Sequence, residues 1–138
     1  MRAYFGRRTT ISASHQLHSG ALSAEENRAT YGKCNNPHGH GHNYIVEVTV
    51  GGPVNETTGM VCDLAELDAF AQTNLLHPFD HINLNTLGSF RDVVPTTENF
   101  TMEIYRIFQR FAGANVERIR VEETSNNSFE YSERLQKG

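Results

Sequence analysis

The order of hydrophobic periods along the chain predicts an α+β protein whose main elements run strand, strand, helix, helix, strand, strand. Three observations support this. Two N-terminal segments alternate apolar and polar residues with period two; two central segments repeat with helical spacing behind a side-chain cap; two C-terminal segments of strand character are joined by the turn-forming Ser125-Asn126-Asn127. With 138 residues, 38% hydrophobic and 20% charged, the chain suits a single soluble domain over residues 1–138. Internal repeats, low-complexity tracts and Pro/Ser-rich linkers are lacking, in keeping with one unit.

Residues 4–15 form the first predicted strand. Phe5, Ile11, Ala13 and His15 share one parity, while Arg8, Thr10, Ser12 and Ser14 share the other. A short helical insertion follows over residues 23–31, because Ser23 with Glu26 makes a capping box, and Gly32 ends it. The second strand starts at Gly39. Its His40, His42, Tyr44, Val46, Val48 and Val50 lie on one face, and Gly51-Gly52-Pro53 closes it. Asp63 and Glu66 repeat the cap pattern and open a helix to about Leu76, striped by Leu64, Leu67, Ala71 and Leu75, with Pro78 barring its continuation. Thr97 caps the next helix, whose buried face is Phe100, Ile104, Ile107, Phe108 and Phe111, and Gly113 stops it. Strands over 116–124 and 128–134 complete the order.

Composition excludes several functions. No apolar stretch approaches the roughly 20 residues that cross a bilayer. A net charge of -4 gives no basic face for nucleic acid. The first residues lack the apolar core of a secretory signal, so a cytoplasmic location is expected, with Cys34 and Cys62 reduced and the N-x-S/T sites at Asn55, Asn99 and Asn126 unglycosylated.

The stretch CNNPHGHGHNY, residues 34–44, concentrates the reactive side chains. Histidines at i and i+2 of a strand project from one side about 6 to 7 Å apart, close enough to share an ion. His40 and His42 satisfy this, and His15 ends another strand on its apolar parity. Three neutral imidazoles with one open position are what a catalytic zinc requires. His38 shares the parity of His40, so spacing alone leaves a His38/His40 register open. Cys34, beside Lys33, reads as a thiolate base or nucleophile, or as a fourth zinc ligand. Cys62 reads as core. Asp80-His81 reads as an acid/base couple or a surface pair. Glu123, following Ile119 and Val121 on one parity, is either a solvated strand end or a carboxylate facing a cleft, where it would accept two hydrogen bonds from a guanidine-like ring edge.

Taken together, Ser12-Ala13-Ser14-His15, Leu22-Ser23-Ala24-Glu25-Glu26-Asn27, Gly32-Lys33-Cys34-Asn35-Asn36-Pro37, Gly39-His40-Gly41-His42-Asn43-Tyr44, Asp80-His81 with Asn83-Leu84, Thr96-Thr97-Glu98-Asn99 and Glu123-Thr124 with Asn126-Asn127 closely resemble the 6-pyruvoyltetrahydropterin synthase family, in order over nearly the whole chain. The resemblance implies a zinc lyase of tetrahydrobiopterin biosynthesis that converts 7,8-dihydroneopterin triphosphate to 6-pyruvoyltetrahydropterin and triphosphate. It implies His15, His40 and His42 as zinc ligands, Cys34 as general base with Asp80 and His81 as proton-transfer partners, and Glu123 with Thr96, Thr97 and Glu98 around the pterin ring. It also implies an antiparallel four-stranded sheet with two packed helices, of the tunnelling-fold type. Two trimers would stack into a homohexamer with active sites at subunit interfaces, closing exposed sheet edges. Three positions depart from the family pattern: Ile11 stands where an aromatic is usual, Gln16 where arginine is frequent, and His38 where other residues are common, leaving Lys33 or Arg28 as candidates for the triphosphate. The neighbouring enzymes that make 6-carboxytetrahydropterin for queuosine share the H-G-H element but place cysteine closer to it than the six positions between Cys34 and His40. A non-catalytic pterin-binding barrel is the further alternative.

Overall fold

A computed structural model describes residues 1–133. Its spine is a long antiparallel pair, β1 (Arg2–His15) against β2 (His40–Pro53), registered from Arg2 opposite Pro53 to His15 opposite His40. β2 pairs on its other side with β4 (Asn115–Thr124), and β4 pairs with β5 (Asn127–Tyr131), both antiparallel. A two-residue strand, β3 (Ile82–Asn83), runs parallel to β1 beside Ala13 and Ser14, giving the order β3-β1-β2-β4-β5.

Among the described residues the sheet therefore has five strands and is mixed, where four antiparallel strands were expected. The fifth strand arises from the loop after Pro78, which meets the free backbone edge of β1. There His81 N–H donates to the Ser12 carbonyl at 2.5 Å, and Ser12 N–H is taken by Asp80 Oδ1 at 2.9 Å. A buried edge must have such partners, and a short loop segment supplies them.

One sheet face carries the core. Ile11, Ala13, Tyr44, Val46, Val48, Val50, Ile119 and Val121 are buried there, with the alternation expected of half-covered strands. Over them lies α4 (Thr97–Phe108), which buries Phe100, Ile104, Ile107 and Phe108. Phe100 touches the rings of Tyr44, Phe79 and Phe90 edge to face, with centroids at 5.3, 5.4 and 6.4 Å. The opposite face is charged: Arg8 meets Glu47 at 2.7 Å, and Arg120 meets Glu122 at 2.5 Å and Glu130 at 3.6 Å.

The inserted helix α1 (Ala24–Tyr31) has the full capping box of Ser23 and Glu26, and Gly32 leaves it at φ 55. Other helix and strand ends differ from the sequence pattern. α2 (Leu64–Ala71) does not stop before Pro78: it widens into a π-helical turn over Gln72–Leu76 and continues through α3 (His77–Phe79). Pro78 follows the wider turn, which makes room for its ring inside the continuing helix. The cap of α4 is Thr96 rather than Thr97, its hydroxyl accepting from Asn99 N–H at 3.2 Å, which turns Thr97 inward. α4 ends at Phe108, well before Gly113, whose role is steric: a Cβ there would lie 2.6 Å from the Phe111 ring. β2 continues through the glycine pair to Pro53. The expected end of the last strand, at Arg134, lies outside the described residues.

Candidate metal centre

The register of β1 on β2 brings the terminal His15 directly opposite His40, and His42 follows on the same face. The three rings stand edge to face, with centroids 4.7 Å (His15–His40), 5.3 Å (His15–His42) and 4.8 Å (His40–His42) apart. One nitrogen from each falls within 4.8 Å of the others, so the three could hold a metal ion. Nε2 of His15 and Nε2 of His40 are 3.2 Å apart. His38 is exposed and stands outside this group; its N–H is engaged with Asn36 Oδ1 at 3.0 Å.

His15 is oriented from behind. Its Nδ1 lies 2.7 Å from the Pro95 carbonyl, which can only accept, so the proton sits on Nδ1 and Nε2 keeps a lone pair facing the other rings. Burial lowers the pKa of His15, against the opposing effect of the Pro95 carbonyl. Burial, then the neighbouring His42, also lowers that of His40. Neutral imidazoles are the form that binds a metal. Among the described residues, Nδ1 of His40 and Nε2 of His42 are buried without a hydrogen-bond partner, and His42 Nε2 approaches Glu123 Oε1 at 3.1 Å without hydrogen-bond alignment. Orphaned ring nitrogens in a converging cluster fit a cation, because a buried polar atom with no partner is costly.

Glu123 faces the cleft. At the end of β4 the pairing with β5 shifts between Glu122 and Thr124, and the carboxylate is delivered to the histidines. Its second oxygen accepts from the hydroxyl of Thr97, itself only 2% exposed. Thr96 is occupied as the cap of α4, and Glu98 is exposed beside it.

Cys34 sits half-buried in the 3-10 turn Gly32–Asn35. Burial, then the Glu123 carboxylate, pushes its thiol up, opposite in direction to the effect expected from the neighbouring Lys33, which is exposed to solvent. Cys62 is buried in the core, as read.

Asp80 and His81 are not brought to this cluster. Their pair is loose, with His81 Nε2 3.6 Å from Asp80 Oδ2, and the His81 side chain is 80% exposed at φ 59. Asp80 is held at Ser12 N–H, and His81 lines a cavity of about 530 Å³ together with Ser12, Asn43, Asn83 and His42, the last a member of the histidine group.

Sequence reasoning missed two members of the site. Tyr44 is fully buried, packs against His42 at 5.5 Å and His15 at 6.3 Å, and holds its hydroxyl 3.5 Å from His15 Nδ1. Burial, then Glu123, pushes its phenol far above the ordinary range, so it stays protonated. Its signal was present: a tyrosine in an otherwise aliphatic row, two residues past His42. Pro95 acts through its backbone carbonyl and had no side-chain signal at all.

The family model described as 6-pyruvoyl tetrahydropterin synthase matches residues 4–134. The human 6-pyruvoyl tetrahydrobiopterin synthase is 46% identical over 132 residues, spanning 94% of this chain and 91% of that protein. The Poecilia reticulata protein of the same name is 45% identical over 130 residues, spanning 93% and 88%. The structure of Caenorhabditis elegans 6-pyruvoyl tetrahydropterin synthase superposes with a TM-score of 0.90 at 38% identity, covering 96% of each chain. With this fold, and with a family match over nearly its whole length, the chain belongs to the 6-pyruvoyl tetrahydropterin synthase family of enzymes.

Proposed function

We propose that this chain is a zinc-dependent lyase that converts 7,8-dihydroneopterin triphosphate to 6-pyruvoyltetrahydropterin and triphosphate in tetrahydrobiopterin biosynthesis. The observation that carries the reading is the convergence of His15, His40 and His42 on one point, with the Glu123 carboxylate beside them. A zinc ion held there would supply Lewis-acid polarisation of the substrate's side-chain oxygens and a positive field opposing the upward push on the Cys34 thiol.

The chain's own groups divide the remaining work. Glu123 anchors the pterin by accepting two hydrogen bonds from adjacent ring N–H groups, with Thr97 holding the carboxylate and Thr96 and Glu98 flanking the pocket. Cys34 is the general base that removes a proton from the side chain, and Asp80 with His81 returns one, so that the internal redox shift and loss of triphosphate proceed at neutral pH. The exposure of His81 at the outer edge of β1 supports its serving the site of a neighbouring copy. A homohexamer built as two trimers places active sites at subunit interfaces and covers the sheet edges. The proposed working unit is a single domain in the cytoplasm, with neither membrane nor nucleic acid as partner.

Mass spectrometry of the products formed from 7,8-dihydroneopterin triphosphate by zinc-loaded protein tests the reaction. The expected product is the pyruvoyl pterin. A carboxypterin would place the chain with the queuosine-type enzymes, and tight pterin binding without turnover would make it a binding protein. Full turnover by a zinc-loaded Cys34→Ala variant would remove Cys34 as base.

A further inference from the structure

The chain leaves β1 at His15 and is tied at once to the turn that carries Cys34. Leu17 N–H donates to the Cys34 carbonyl at 2.7 Å. In return, the Asn35 side-chain amide donates to the Leu17 carbonyl at 2.7 Å, and Gln16 Nε2 donates to the Asn35 carbonyl at 3.3 Å. These bonds form a strap between residues 16–17 and 34–35.

The strap is braced on one side and joined to β2 on the other. Asn35 Nδ2 also reaches His18 Nδ1 at 3.1 Å, and Ser19, next in the chain, is held by the fully buried Asn27, whose side chain accepts from Ser19 N–H at 2.7 Å and donates to the Ser19 carbonyl at 3.0 Å. Beyond Cys34, Gly39 N–H donates to the Asn36 carbonyl at 2.8 Å, and the φ of 71 at Gly39 carries the chain into His40. The cysteine turn is thus held between two members of the histidine cluster. Gln16, the departure from the family's frequent arginine, spends its amide on this strap.

We infer that Asn35 is a positioning residue, which holds the Cys34 thiol in place relative to the histidine cluster by tying the cysteine turn to the end of β1. The inference rests on the reading of Cys34 as the base. Proton transfer demands close placement of donor and acceptor, and displacement of about 1 Å costs on the order of 10²-fold. A four-residue 3-10 turn has few bonds of its own to supply that precision.

The test replaces Asn35 with alanine in the zinc-loaded, full-length protein, assayed well below its thermal midpoint. Expected are unchanged zinc content, a KM for 7,8-dihydroneopterin triphosphate within about twofold of wild type, and a kcat lowered about tenfold or more. Iodoacetamide should alkylate Cys34 several-fold faster than in wild type, with buried Cys62 as the internal reference. Gln16→Ala, which removes one strap bond, should move both readouts in the same direction by less. In a Cys34→Ala background, Asn35→Ala should lower the residual kcat no further. Wild-type kcat and alkylation rate in Asn35→Ala would overturn the inference, as would loss of zinc or an equal fall in kcat with Cys34 already removed. If Cys34→Ala alone keeps full turnover, the base reading falls, and the alkylation rate still decides whether Asn35 holds the turn.

Discussion

At the residue scale, the site depends on nitrogens whose protonation the fold controls. His15 is 1% exposed, and its proton is fixed on Nδ1 by Pro95, so its free nitrogen is committed to the cluster. Replacing His40 with alanine leaves two imidazoles; under the proposed zinc reading the expected outcome is zinc binding at least tenfold weaker by equilibrium dialysis with metal analysis, while far-UV circular dichroism is retained. The depressed pKa values of His15 and His40 also set a pH dependence for metal-stripped protein. The unfolded chain, whose histidines titrate near 6.5, takes up protons before the folded one does. Stability is therefore fully present above about pH 6.5 and is lost as pH falls through the lower folded values. Thermal midpoints of chelator-treated protein should fall between pH 7.5 and 5.5, and a flat profile would show that these rings are not buried neutral.

At the element scale, β1, β2 and α4 do most to build the site. β2 turns its even residues inward along its whole length, so one periodicity supplies the metal-facing pair at its start and the core valines further on. α4 lays Phe100 on Tyr44 and, one turn earlier, points Thr97 at Glu123, so core packing and the carboxylate's orientation share a helix. Truncating Phe100 to alanine should cost about 3 to 5 kcal/mol in a urea titration. A loss below about 1 kcal/mol would mean that the sheet and helix repack around the gap. The four longer strands, the α1 cap and the apolar stripe of α4 were all legible because each follows from local periodicity or a side-chain cap. Passage through Pro78 was not, because a π-helical turn depends on what the helix packs against as much as on its own residues.

At the scale of the whole molecule, the two halves of the proposed proton-transfer machinery are carried by separate segments, Cys34 in the turn before β2 and His81 at the outer edge of β1. Cys34 adjoins the histidine face, while His81 stands exposed against Ser12. If neighbouring copies complete each site, mixing inactive Cys34→Ala and His81→Ala proteins after partial unfolding and reassembly should restore activity to a measurable fraction of wild type. Activity that stays at the sum of the two variants would confine both residues to one chain's site. The charged face of Arg8, Glu47, Arg120, Glu122 and Glu130 gives such an assembly a polar surface to enclose.

The sequence alone determined the α+β order, the inward parity of His15, His40 and His42, and the motif set that names the family, because these depend on residue identity and on periods of two and 3.6. Only the tertiary structure decided which histidines converge, that Glu123 faces them, that Asp80 and His81 lie apart, and that a fifth strand caps the sheet edge. Each of those depends on strand register and loop path, which follow from contacts between residues far apart in the chain and leave no local trace.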